Sequence, residues 1–371
     1  MSTILFATWD GGGNVPPAVA IASELRRRGH TIRFLGHESQ REQLTGAGFA
    51  FSAYDGVRPH RSADANSAFR LVSMFVDRQL GRAVLAELDA ERADLVVVDC
   101  LLLPVLRACA DAGQTYVSLE HLFDAYLRRN WLRGPVGIAG RLRRLDPVGC
   151  WDSAALSLAA TLPSLDPASD GPLPANLRFT GPTIDPPAPH DLDSHEPAVL
   201  VSLSTCMFPG MPAALQRILD ATADLEARVV VTTGPAIDPA SLNSAPNHEV
   251  HRYVPHDELM PQVSLVVGHG GHATTMRALA HDLPLVVMPM HPLLDQPMVG
   301  AAVTTAGAGE HVAKKTKPTQ LRRVITRLLA DGPHRRAAAG LGAEIRRLDG
   351  TSTAAGLVEE LARDGATIRG R

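Results

Sequence analysis

The sequence predicts an α/β protein made of two parallel-sheet domains. Three observations predict it. Short apolar runs alternate with runs of helical spacing, and strands apolar on both faces belong to parallel sheets covered by helices. The alternation breaks once, at a proline-rich stretch from Gly181 to Pro197, and starts afresh at Ala198. The 371 residues exceed one typical core and suit two.

Thr3 to Thr8 reads as a buried strand and Asp10 to Asn14 as a glycine-rich turn. Val15 to Arg28 carries Val15, Ala18, Val19, Ala22 and Leu25 at helical spacing. Pro16 and Pro17 suit its first turn and Gly29 its C-terminal cap. Thr31 to Leu35 is a second strand. Ala65 to Ala90 reads as mostly helical, Asp94 to Val98 as strand, Pro104 to Ala112 as helix and Thr115 to Leu119 as strand. The segment Gly181 to Pro197, with five prolines and several acids, reads as a stiff polar linker.

Beyond it, strands are expected at Ala198 to Leu203, Arg228 to Thr232, Ser264 to Val267 and Leu285 to Met288. Helices are expected at Pro212 to Ala223, Asp257 to Val263, Thr275 to His281 and Pro297 to Ala306. Helical runs at Thr319 to Leu329, His334 to Leu348 and Thr353 to Ala362 close the chain. The domains are therefore placed at 1–183 and 198–352, with a linker at 184–197. Residues 353–371 form a last helix able to pack back on the first domain. Ligands in such sheets bind beyond the strand C-termini, so two facing domains would make a cleft.

A formal net charge of −3 gives no global reason to expect nucleic acid, and 4 % aromatics leave few stacking platforms. The four cysteines lack metal-site spacing and read as free thiols in a reducing cytoplasm. No run approaches the roughly 20 apolar residues of a membrane span. Met1 to Gly13 lacks the pattern of a signal peptide, so a cytoplasmic location is expected.

The chemistry concentrates in His269-Gly270-Gly271-His272-Ala273-Thr274-Thr275 and in Asp295-Gln296. The first lies between a strand and a helix start. Unpaired N–H groups there carry partial positive charge and suit a phosphate. His269 beside the turn is a donor to a phosphate oxygen. Asp accepts hydrogen bonds and Gln both donates and accepts, so Asp295 and Gln296 suit sugar hydroxyls. Each has a plainer reading: His269 as a core histidine, Asp295 as a helix N-cap.

With these residues in hand, the chain resembles the family-1, GT-B-type glycosyltransferases, in the branch that decorates bacterial natural products. Four segments carry the resemblance, in order. Val201 to Thr205 resembles the first strand and phosphate-side loop of the donor domain. Arg252-Tyr253-Val254-Pro255 resembles the segment that packs on the nucleotide base. His269 to Thr275 resembles the diphosphate turn, and Pro289 to Pro297 the sugar-contacting loop. The resemblance implies two Rossmann-like βαβ domains facing a central cleft. It also implies metal-free, inverting transfer of a TDP- or UDP-linked hexose to a small lipophilic acceptor. Apart from that nucleotide-sugar co-substrate, no cofactor is expected, and a homodimer stays open. The implied diphosphate donors are Ser204, Thr205, His269, Gly271, His272 and Thr274. Tyr253 and Val254 would meet the base, and Asp295 and Gln296 the sugar.

The first loop departs from the family. Its general-base His is replaced by Asn14 in Gly11-Gly12-Gly13-Asn14-Val15-Pro16. An amide has no titratable site near neutral pH and cannot accept the proton. Asp99 matches the family's Asp that orients the base, and so would lack its partner. Asp99 itself, Asp10 or His121 are the candidate substitutes, or the acceptor needs little deprotonation. Asp99 and Asn14 also read as helix N-caps. Three competing functions follow: a non-catalytic nucleotide-sugar binder or auxiliary partner of another transferase, a sugar-nucleotide epimerase of similar fold, against which Asp295-Gln296 argues, and a dehydrogenase. The dehydrogenase is disfavoured because Pro16 stands where the dinucleotide fingerprint needs Gly or Ala. The arginines 26–28 and lysines 314, 315 and 317 read as solvated surface. The arginines between Leu127 and Leu145 read as solvated helix faces or a membrane- or partner-facing patch.

Overall fold

The structure is a computed structural model and describes residues 1–62, 64, 68–184, 187 and 196–369. These form two compact units. One holds residues 1–62, 68–184 and the chain from Leu348 onward; the other holds residues 196–347. Most of the proline-rich 184–197 segment lies outside the described residues.

The N-terminal sheet has strands β1 (Thr3–Ala7), β2 (Thr31–Gly36), β3 (Ala50–Ala53), β4 (Leu95–Asp99), β5 (Tyr116–Glu120), β6 (Leu156–Ala159) and β7 (Leu177–Phe179). Their spatial order is β3-β2-β1-β4-β5-β6-β7, parallel throughout. The C-terminal sheet has β8 (Ala198–Ser202), β9 (Arg228–Thr232), β10 (His248–His251), β11 (Leu265–Gly268), β12 (Leu285–Val287) and β13 (Gly309–His311). Its order is β10-β9-β8-β11-β12-β13, again parallel. Each sheet winds one way from its first strand and then the other. The reversals lie between β1 and β4 and between β8 and β11. Ligands collect beyond the strand C-termini at such reversals.

The expected β1, β2, β4, β5, β8, β9, β11 and β12 are present. Five short strands, β3, β6, β7, β10 and β13, extend the sheets beyond the sequence reading. The expected long helix from Ala65 is two helices, Ala68–Phe75 and Arg78–Ala90, with Asp77 accepting from the Gln79 N–H as the cap of the second.

One N-terminal core face stacks Ile4, Phe6, Val97, Val117 and Leu119 under Ile21 and Leu25 of the helix Val15–Arg27. The same cluster takes in Ala354, Ala355 and Val358 of the last helix, Gly350–Arg369. Each large side chain buried this way stabilises by about 1.5–3 kcal/mol. The arginines after the first helix are not merely solvated. Arg28 donates to the Ser352 carbonyl and hydroxyl and reaches Glu359, and Arg26 lies over the Phe49 ring.

Asp282 occupies the left-handed position after the helix His272–Ala280, at φ +60. Its N–H donates to the Leu279 carbonyl and the Leu283 N–H to the Ala278 carbonyl, closing the helix as a Schellman motif with Asp in the usual glycine place.

Candidate active site

At the reversal of the N-terminal sheet, the chain leaves β1 through Thr8, Trp9 and the glycine triplet. Gly11 has no room for a side chain: a Cβ would lie 2.4 Å from the Trp9 ring and 2.8 Å from Asn14 Oδ1. Asn14 is buried at the N-terminus of the first helix, but its side chain does not cap it. Its Nδ2 donates instead to Asp99 Oδ2 at 2.9 Å and to the Trp9 carbonyl at 3.0 Å.

Asp99 ends β4 and is buried. It is not the cap of the following helix either; Leu102 holds that position, and Asp99 Oδ1 accepts from the Leu101 N–H at 3.0 Å. On its other side, His121 Nδ1 lies 3.4 Å from Asp99 Oδ2. His121 directly follows β5, the neighbour of β4, and its side chain keeps 12 % exposure. Burial pushes its imidazole below the ordinary 6.5, and the Asp99 carboxylate pulls the other way. Asp99 therefore has a hydrogen-bond partner in Asn14 on one side and, 3.4 Å away on the other, a His121 ring nitrogen that makes no hydrogen bond.

The cysteines are free, three buried and Cys206 half-buried. Cys100 lies beside the acid: its sulfur, an Asp99 oxygen and a His121 nitrogen are within 4.8 Å of one another, a grouping that the cysteine spacing did not reveal. Burial, with Asp99 second, holds the Cys100 thiol well above its usual range, so it is a neutral thiol in the free protein.

Asp10 has a different task. Its two oxygens accept from Ser39 Oγ at 2.7 Å and Ser62 Oγ at 2.8 Å, tying three loops together. Both carboxylate oxygens are thus engaged in holding loops together.

At the reversal of the C-terminal sheet, β11 runs into the turn His269-Gly270-Gly271. Gly270 takes φ +82, and a Cβ there would meet Gln296 O at 2.9 Å and Val287 Cγ1 at 2.8 Å. Only glycine fits both demands. Gly271 is the N-cap of the helix His272–Ala280, so its first amides are unpaired by the helix. The helix begins three residues earlier than the sequence pattern indicates, and Ala273 sits inside it, free of the positive φ that Gly270 absorbs. The His269 ring tucks against Gly271; a Cβ there would come within 2.5 Å of it. Burial pushes His269 down to about 4, opposed by a hydrogen bond with the Leu203 backbone. The ring is thus neutral in the free protein rather than a standing cation. Thr274 is half-buried in the first helical turn.

Gln296 Oε1 accepts from the Met290 N–H at 2.8 Å and the His291 N–H at 3.1 Å. Its carbonyl shapes the loop, which leaves the amide N–H₂ for a ligand. Asp295 stands at the N-cap position of the helix Gln296–Thr305 but makes no capping bond. Burial pushes its carboxyl up to about 7, opposed by its own backbone N–H. Ser204 Oγ accepts from the Cys206 N–H, Thr205 is exposed, and Val254 is half-buried beside Tyr253, whose ring is 73 % exposed.

Two residues here escaped the sequence reading. His256 pairs with Ser202 Oγ at 3.0 Å; burial, with Arg277 second, pushes it down to about 4. Lys314 is no solvated loop residue. Its ammonium donates to the carbonyls of Pro209 at 2.9 Å and Met290 at 3.0 Å, joining the loop after β8 to the one before Asp295. Neither lies in a recognisable motif; the spacing of 105 residues between Pro209 and Lys314 carries no local signal.

Residues 216–353 match the family model for the erythromycin biosynthesis protein CIII-like C-terminal domain. The chain is 28 % identical over 424 aligned positions to 4'-demethylrebeccamycin synthase of Lentzea aerocolonigenes, covering 96 % of this chain and 99 % of that protein. The chain is thus similar to family-1 glycosyltransferases of GT-B type.

Solved structures agree on the fold. The calicheamicin glycosyltransferase CalG4 superposes with a TM-score of 0.78 at 24 % identity, over 97 % of this chain and 98 % of that one. The glycosyltransferase VinC, solved in complex with dTDP, superposes with a TM-score of 0.72 at 20 % identity, over 98 % and 100 %. The transferase thus carries two Rossmann-like domains of GT-B type. In each, the candidate residues gather where the strand order reverses.

Proposed function

We propose that this transferase moves a hexose, a deoxyhexose foremost, from a TDP- or UDP-sugar to a small lipophilic natural-product acceptor. Transfer inverts the anomeric centre and uses no metal. The bound dTDP of VinC and the demethylrebeccamycin synthase relative support the donor and acceptor classes. One observation carries the reading. The glycine turn and the Asp295-Gln296 loop touch at Gly270 and Gln296, so an anion site and a hydroxyl site adjoin.

In this reading Gly271 and His272 N–H groups, His269, Thr274, Ser204 and Thr205 hold the diphosphate. Tyr253 and Val254 meet the base. Asp295 and the Gln296 N–H₂ hold the sugar. His121 is the general base, and Asp99, 3.4 Å from its Nδ1, favours the Nδ1–H tautomer once the two close to hydrogen-bond contact. The acceptor proton passes to His121 Nε2, and the freed lone pair attacks the sugar C1. The C1–O bond to the diphosphate breaks, and the diphosphate leaves with the bonding electrons. Asn14 fixes the far side of Asp99 and takes no proton.

A non-catalytic nucleotide-sugar binder is the second reading, favoured by the amide at position 14. Incubation with TDP- and UDP-sugars and phenolic, aryl-amine and macrolide acceptors separates the two. Transfer gives released nucleoside diphosphate and a product heavier by one sugar. Tight donor binding with no product across the panel overturns the catalytic reading.

A further inference from the structure

One stretch of the N-terminal unit concentrates exposed cationic and apolar side chains. From Ala125 to Leu145 the sequence holds six arginines and no Asp or Glu, in a chain whose formal net charge is −3. The stretch folds as a π-helical segment, Tyr126–Trp131, and a helix, Pro135–Leu142. That helix packs against Ala68–Phe75, whose sequence also lacks acids.

Two properties coincide on this pair of helices. Leu142 is 80 % exposed, Phe69 78 % and Ile138 46 %. Ile138 and Leu142 are one helical turn apart and share a face. Along the same stretch, Arg129, Arg133, Arg141, Arg143 and Arg144 are all exposed, with Arg129 donating to the Pro167 carbonyl and Arg141 to that of Leu132. Arg128 differs, since it is held by Asp124 and Asp152. Single exposed apolar side chains are ordinary. Three on two packed helices, fringed by arginines with no carboxylate within either helix, meet the two demands of an anionic bilayer surface. Guanidinium groups pair with lipid phosphates in bidentate fashion. Phe, Ile and Leu enter the headgroup–acyl boundary. No helix among the described residues is long and apolar enough to cross a membrane, and the contact argued here lies at the surface.

We propose that this face docks the protein on anionic lipid bilayers. Charge complementarity selects the occupant: the patch is cationic and apolar together, and a zwitterionic surface would satisfy only half of it. The inference does not depend on the transfer chemistry.

The test is co-sedimentation of the full chain with vesicles of phosphatidylcholine, alone or mixed with phosphatidylglycerol, at low and high salt. Binding is expected only to the mixed vesicles and is lost at high salt. Each arginine contributes about fivefold to affinity, so Arg141→Gln/Arg143→Gln/Arg144→Gln should bind roughly 100-fold more weakly. Phe69→Gln/Leu142→Gln should lose roughly tenfold, through the inserted apolar groups. Melting temperatures report that both variants fold, and the wild-type salt arm stands without them. Three results overturn the proposal: no binding at low salt, which leaves the face to an acidic protein; equal binding to both vesicle types; or full binding by folded variants.

Discussion

At the end of β11 the groups proposed to meet the ligand are mostly backbone. Gly270 turns at φ +82, and the helix behind it presents unpaired amides. At the matching end of the N-terminal sheet, Gly12 turns at φ +76, but the groups proposed to act are side chains from three separate segments. Asn14 comes from the first helix, Asp99 from β4 and His121 from the end of β5. A backbone site tolerates little change, because glycine has no substitute where a Cβ would strike Gln296. A side-chain site can be rebuilt, because any residue that brings an imidazole to Asp99 serves. Asn at position 14 fits such a rebuilding, with the ring supplied from the end of β5.

The comparison breaks first at its most reactive point. His121→Ala should lower kcat by about 10²–10⁴, the usual worth of a positioned general base. Asp99→Asn should lower it by roughly 10²-fold through loss of the tautomer lock. Asn14→Ala should lose less than about tenfold, since it removes one neutral donor to Asp99. Steady-state kinetics with saturating donor checks all three, and equal losses at positions 14 and 121 would erase the distinction between the two ends.

The donor end should respond in binding rather than turnover. His269→Ala is expected to weaken nucleoside diphosphate binding by about 10- to 100-fold, the range of hydrogen bonds to a charged group. Calorimetric titration with thymidine and uridine diphosphates measures it, and unchanged affinity would move the diphosphate elsewhere.

Asp295→Asn sharpens the comparison through pH. The Asp295 carboxyl is raised from 3.8 to about 7 in the folded protein. The folded state therefore holds the proton more tightly than the unfolded state does, and stability falls as pH rises from about 4 to about 7. The Asn variant should melt higher than the wild type above pH 7 and match it in acid. Its donor KM should exceed the wild-type value by roughly tenfold at alkaline pH, where the wild-type carboxylate accepts from the sugar, and approach it below pH 7. A donor KM that ignores pH in the wild type would remove Asp295 from the sugar.

The smallest effect belongs to Lys314. Lys314→Met should raise donor KM a few-fold with kcat little changed, because it frees two loops without touching the reaction. Lys314→Arg should restore most of it. A kcat loss equal to the KM change would contradict a positioning role.

The legibility of the two ends follows from the same contrast. The donor turn was readable because glycine at φ > 0 before a helix, then Asp-Gln one βα unit later, are local patterns. The wholly apolar strands were readable for the same reason, the short β11 and β12 among them. β3, β6, β7, β10 and β13 were not; each has three or four residues with polar ones among them, so no apolar run stands out. The Asp99 cluster was half legible. Each member was a candidate, but residues 14, 99 and 121 meet only through the β1-β4-β5 order. No sequence spacing encodes that order. His256 and Lys314 were illegible because their partners lie far away in sequence. Asn14, Asp99 and Asp295 read as caps by composition, and none caps a helix with its side chain, because tertiary partners or burial outweighed the local preference.

His121, beside Asp99, is proposed to replace the imidazole absent from position 14. The most direct measurement is the pH dependence of kcat for the wild type and His121→Gln on one verified acceptor. Burial holds the His121 pKa below 6.5, so the wild type should lose turnover only as pH falls below that value. In His121→Gln the acidic limb should vanish and the plateau should drop by about 10²-fold or more. A variant that keeps the limb, or a plateau within a few-fold of the wild type, would contradict the claim.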